Sequence, residues 1–185
     1  ADCVAVATGE KAVKIEPEPT PEIVANKPKS PRTTTPDPQS PIPDPHFTGH
    51  GLPSQTDFTV RGEAFVTDTP ITLLGFVNRV TGEIEEEGHP ANGQSMAGKI
   101  AIFPKGSGST VAPYVLLELF YRGTAPLAIL NTEIDQQSAP ACSLEHIPYA
   151  YDFDGDIIAN INHGDEVELR RTGNVVTVEV ISRHE

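Results

Sequence analysis

Apolar and polar residues along this chain alternate in three distinct ways. FTVRGEAFV (58–66) places Phe, Val and Ala at alternating steps and is rich in β-formers, which predicts a strand. PITLLGFV (70–77) predicts a second, and RVTGEI (79–84) a turn. KIAIFP (99–104) and PLAILN (126–131) are short continuous apolar runs, the pattern of strands buried on both faces. HIPYAY, DIIANI, VELRR and VVTVEVI predict further short strands, with HGDE and TGN as turns between them. One segment has the other period. In TVAPYVLLELFYRG, Val111, Val115 and Leu119 recur at every fourth position, with Leu116 and Phe120 beside them. That is a broad helical stripe, with Pro113 suited to the first turn and Gly123 to the C-terminal stop. The start of this helix falls anywhere from 110 to 113. The pattern as a whole predicts a β-rich α+β domain over 56–185 with one helix packed on it.

Upstream of residue 56 the pattern disappears. Residues 16–45 contain ten of the chain's 18 prolines and few apolar positions. Such a stretch cannot bury enough surface to offset its ordering entropy, and proline stiffens it toward an extended form. We read 16–55 as a Pro-rich linker and 1–15 as the end of a preceding large domain. Composition narrows the functional classes. The formal net charge is −13 over 185 residues, and no Lys/Arg cluster occurs, which argues against a nucleic-acid reader. No apolar run approaches the ~20 residues of a membrane span, so no membrane partner is expected. The two cysteines, Cys3 and Cys142, lie far apart and read as free thiols of a cytoplasmic protein.

The stretch with most chemical promise is KGSGST (105–110), which leaves a buried strand and opens the helix. N–H groups at a helix start lack intrahelical partners, and the macrodipole makes that end positive, so a carboxylate or phosphate is welcome there. Gly106 and Gly108 let backbone approach a ligand closely. Ser109 at the cap position is equally a plain structural cap, worth ~1 kcal/mol. The P-loop pattern fails because Lys105 precedes the glycines, and G-x-S-x-G fails because neither serine has glycines at both offsets. DFDGDI (152–157) has its Gly fourth, not sixth, so an Asp-Gly turn fits better than a calcium loop. EIEEEGHP (83–90) reads as a solvated acidic loop, and His89 has no His or Cys close in sequence to form a ligand set, so no metal site is assigned.

Taken together and in order, LLGFVNRVTGEI, GHPANGQSMAGKIAIFPKGSGSTVAPYVLLEL, GTAPLAILNTEID, HIPYAYDFD and HGDEVEL resemble the small swivelling domain of the aconitase X family over about residues 60–181. Ser107 stands where the family often has Arg. The resemblance implies a swivelling β/β/α domain like the mobile C-terminal domain of aconitase. It also implies a large partner subunit or domain that carries an iron–sulfur cluster and much of the active site. DCVAVATGEK is similar to the close of that large part, which implies a fused protein.

By the same resemblance the reaction is dehydration of a small hydroxy acid. Ser109 maps onto the family's catalytic base, which removes the proton next to the substrate carboxylate. The partner's cluster acts as Lewis acid on the departing hydroxyl. Gly108, Thr110 and Ser107 are the neighbours expected to touch substrate. Two substrates occur in the family: cis-3-hydroxy-L-proline, favoured here by the apparent fusion, and mevalonate 5-phosphate. A non-catalytic β-rich binding module, with Ser109 only a cap, is the competing class. A serine hydrolase would need a His and an acid beside a serine.

Overall fold

The computed structural model describes residues 46–184. The expectations for 1–15 and for most of the Pro-rich linker lie outside the described residues. Seven strands close into one barrel in the order β1-β5-β4-β3-β2-β6-β7, with β7 returning to β1. They are β1 (His46–Gly51), β2 (Phe58–Val66), β3 (Ile100–Ile102), β4 (Ala128–Asn131), β5 (Tyr149–Tyr151), β6 (Glu166–Thr172) and β7 (Val175–Ser182). β2, β3, β4 and β5 run parallel to one another, whereas β6, β7 and β1 close the barrel antiparallel.

Parallel neighbours need long crossovers. α2 (Pro113–Arg122) carries the chain from β3 to β4, and α3 (Ala139–Glu145) from β4 to β5. β3 therefore faces two cores, as its unbroken apolar run requires. Ile100 and Ile102 point into the barrel with Ala64, Ala128, Leu130, Leu169 and Val178. Ala101 and Phe103 point outward and pack beneath Val115, Leu116 and Leu119 of α2 and Cys142 of α3. Burial on this scale is worth about 1.5–3 kcal/mol for each large side chain.

Most expected elements appear where the pattern placed them; two expected strands do not form, and two elements, β1 and α3, come unannounced. The domain begins before residue 56: β1 starts at His46 and pairs with β7 from His46↔Glu179 to His50↔Val175. Its glycines hid it, because glycine weakens a strand. Here Gly49 is needed, since a Cβ would sit 2.7 Å from the Phe153 ring. PITLLGFV forms isolated bridges at Ile71 and Val77 around a kinked turn, α1 (Leu73–Phe76), in which Leu74 and Gly75 leave the helical region. Gly75, at φ 94°, cannot sit in a regular strand. DIIANI is not a strand either. Asp156 accepts the N–H groups of Ile158 and Ala159 and caps the one-turn α4 (Ile157–Asn160). α3 had no stripe long enough to read.

The C-terminal strand is locked by a buried carboxylate. Asp165, with no exposed surface, accepts N–H bonds from Asn162 (2.8 Å) and His184 (2.9 Å) and an ion pair from Arg183 (2.7 Å). Burial pulls this carboxyl up, but the two N–H donors and the guanidinium together hold it below its ordinary value of 3.8. A depressed carboxyl stabilises the fold above its unfolded value and loses that contribution as pH falls through the folded one. Acid titration monitored by circular dichroism should therefore show stability falling from about pH 4 downward. Asp165→Ala, which strands its donors, should cost about 1–3 kcal/mol in urea melts at neutral pH, and should flatten that acid dependence.

Candidate functional site

The carboxyl ends of β3 and β4 lie side by side, so the loops that follow them face one another. The first loop, 103–112, is tied down on both flanks. Ile71 N–H donates to Lys105 O (3.2 Å), and Ser107 N–H to Ile71 O (2.8 Å). On the other side Thr132 N–H donates to Pro104 O (3.2 Å), and Asn131 Nδ2 to Phe103 O (2.9 Å). Between this loop and 133–137 lies a cleft of about 480 Å³ whose wall includes Lys105, Gly106, Ser107, Gly108, Thr110 and Gln137. A crevice beyond the carboxyl ends of neighbouring parallel strands is the general ligand position in open α/β sheets.

Ser109 is exposed, between the wall residues Gly108 and Thr110, and is not itself part of the wall. It is also not the cap of α2. That helix opens at Pro113 with Ala112 before it, and no side chain caps it. The reason is Pro113, which has no N–H to give to Ser109 O, so the regular ladder cannot begin earlier. A tighter turn precedes it: Ala112 N–H bonds Ser109 O (3.0 Å), and Val111 N–H bonds Ser109 Oγ (3.3 Å). The first N–H groups of α2 are satisfied by the same spacing, Tyr114 to Val111 O and Val115 to Ala112 O. The unpaired N–H groups lie upstream instead. Those of Gly108, Ser109 and Thr110 have no partner among the described residues. Gly108, at positive φ, opens this row of three successive N–H groups, and backbone donor rows of that kind are where proteins take up anions.

The facing loop supplies what the residue pattern did not reveal. Asp135, buried, accepts from Gln137 N–H (3.2 Å), Ser138 N–H (2.9 Å) and the Ser138 hydroxyl (2.7 Å), while its own N–H donates to the Tyr149 hydroxyl (2.9 Å). Burial raises the Tyr149 phenol far above its usual value, so it stays a neutral partner. Gln137, 8% exposed, lies against Gly106, where a Cβ would come within 2.8 Å of its Oε1. That Oε1 is buried with no hydrogen-bond partner, a state that costs about 1–3 kcal/mol. The spacing Asp-x-x-Ser at 135–138 signals a cap, but nothing in QQSAP marks Gln137. Lys105, the one cation of the cleft wall, pairs with Glu133 at 2.9 Å.

The remaining candidates stay apart. The acidic run 83–90 is not wholly solvated: Ile84 is buried, and His89, 7% exposed, accepts Ala91 N–H at Nδ1 (3.0 Å) while its Nε2 has no partner. Asp154 accepts Thr48 N–H (2.9 Å), so DFDGDI serves the fold. Among the described residues no group of three or more His, Cys, Asp or Glu could hold a metal ion, and burial pushes the Cys142 thiol far up. These residues do not fit an iron–sulfur cluster. No described helix is long and apolar enough to cross a membrane.

A small barrel with crossover helices, opening its Gly-Ser turn on a cleft, is a swivel-domain architecture. Residues 54–178 match the aconitase X swivel domain, and the chain belongs to that family. It is 34% identical over 116 residues to the phosphomevalonate dehydratase small subunit of Methanopyrus kandleri, covering 63% of this chain and 86% of the relative. The corresponding Archaeoglobus fulgidus subunit is 39% identical over 107 residues, covering 58% and 80%. The crystal structure of Thermococcus kodakaraensis aconitase X in its holo-form aligns with a TM-score of 0.66 and 30% identity, over 75% of this chain and 99% of that one.

Gly108 has φ 93°, and an added Cβ would sit 3.3 Å from Thr72 Cγ2. Gly108→Ala should lower stability by about 1–2 kcal/mol, the cost of a left-handed non-glycine residue, as read from urea midpoints at unchanged slope.

Proposed function

We propose that this chain is the swivel subunit or domain of an aconitase-like hydro-lyase, and that Ser109 is the proton-abstracting base for a small 3-hydroxy acid. A large partner completes the enzyme and holds the iron–sulfur cluster, for which the described residues offer no ligand set. The reducing cytoplasm suits both that partner and a free thiol such as Cys142. The observation that carries the reading is an exposed serine hydroxyl set among three unpaired N–H groups at the edge of a cleft. A serine hydroxyl is a poor base at neutral pH. Preorganised donors favour its anion, and they also seat the substrate carboxylate. Ser109 Oγ then takes the proton from the carbon next to that carboxylate, and the bonding electrons form the double bond as hydroxide leaves the adjoining carbon. Gly108, Thr110 and Ser107 line the path by which substrate reaches it.

The names of the relatives support mevalonate 5-phosphate as substrate. A different observation favours cis-3-hydroxy-L-proline. The cleft's single cation, Lys105, is already paired with Glu133, and Asp135 adds a second carboxylate, a setting kinder to a zwitterion than to a phosphate dianion. The assembled enzyme should dehydrate one of the two, followed by formation of the conjugated acid. Ser109→Ala should lower kcat by about 10²–10⁴-fold, the usual contribution of a positioned base. Near-normal turnover by that variant would remove Ser109 from the chemistry.

A further inference from the structure

We infer that the side-chain amide of Gln137 is a substrate contact, donating to a carboxylate oxygen of the hydroxy acid opposite the N–H groups of Gly108, Ser109 and Thr110. The inference rests on the dehydratase reading of the cleft.

Gln137 lines the cleft while being more than nine-tenths buried. Its place is set from three directions. Asp135 Oδ1 holds its N–H, the next residue is fixed by both atoms it offers to Asp135 Oδ2, and Asp135 itself hangs from the Tyr149 hydroxyl. Gly106 closes over the side chain, and a Cβ there would come within 2.9 Å of both Cβ and Cδ of Gln137. The loop after β3 and the loop after β4 thus interlock at this pair as well as through Thr132–Pro104 and Lys105–Glu133. Under that contact Oε1 is sealed without a partner, while Nε2, on a side chain that lines the cleft, is neither sealed nor hydrogen-bonded among the described residues.

A methionine or leucine would fill the same gap without stranding a polar atom. The competing acceptors nearby are engaged, Glu133 by Lys105 and Asp135 by its own loop. What Nε2 lacks is an acceptor from outside, and a carboxylate supplies two oxygens. One can take the free N–H row while the other takes Nε2. That arrangement would fix the acid's orientation and leave its neighbouring carbon toward Ser109. The carboxylate is common to both substrate candidates, so the contact does not depend on which is correct.

The test uses the full chain assembled with its large partner, assayed with cis-3-hydroxy-L-proline and with mevalonate 5-phosphate. Gln137→Met, which keeps the packing and removes the donor, should raise KM for the compound turned over about tenfold with kcat within about threefold. Gln137→Glu, isosteric but anionic, should raise it further. Ser109→Ala should do the reverse, lowering kcat with little change in KM. Unchanged KM in both Gln137 variants overturns the contact and leaves the Ser109 reading standing. Full turnover by Ser109→Ala, or no turnover of either compound by the wild-type assembly, overturns the dehydratase reading itself. Should a Gln137 variant fail to assemble, the side-chain amide resonance of Gln137 in the wild-type enzyme decides. A shift on adding the substrate supports the contact, and none overturns it.

Discussion

Everything at the functional end of this molecule depends on β3 pairing in parallel with both β2 and β4. Parallel pairing points three chain exits the same way, so the segments after Val66, Ile102 and Asn131 must gather at one end of the barrel. The return from β3 to β4 runs through α2, which follows directly on the Gly-Ser turn. The apolar run satisfies this from both sides, Ile100 and Ile102 of β3 inward and Ala101 and the following Phe103 outward. A polar residue at any of these positions would face a dry core.

On that frame the two loops are rigid for different reasons. The Gly-Ser loop is held by backbone bonds to Ile71 on one flank and by Thr132 and Asn131 on the other. The facing loop is organised by a single carboxylate, Asp135, whose three incoming bonds fix the turn that leads into α3. Neither loop needs a ligand to take its shape. The proposed anion site depends on this, since donors already in place need no rearrangement when charge develops.

Much of this was legible in the residues. The strands with clear alternation or continuous apolar runs, the α2 stripe with Val115, Leu116 and Leu119, and the Gly123 stop all follow from period and termination. What escaped depended on contacts distant in sequence. β1 holds glycines because Phe153 and Arg171 press against it, a reason invisible at positions 49 and 51. DIIANI has strand-forming isoleucines, and only the Asp156 cap tips it to a helical turn. At the site, the Gly-x-Gly-Ser turn was conspicuous, yet Pro113 moved the helix start so that the free N–H groups lie earlier than a simple cap would place them. Gln137 was silent because its placement is set by Gly106, thirty-one residues before it in the chain.

The barrel is closed by its first described strand meeting its last, His46 against Glu179. Such a seam has the greatest sequence separation of any pairing in the domain, and contacts of that kind form late. During synthesis β1 precedes both of its partners, β5 and β7, and has neither until the crossover helices are made. Its two glycines, which weaken a strand, make that early segment a poor template for a neighbouring chain.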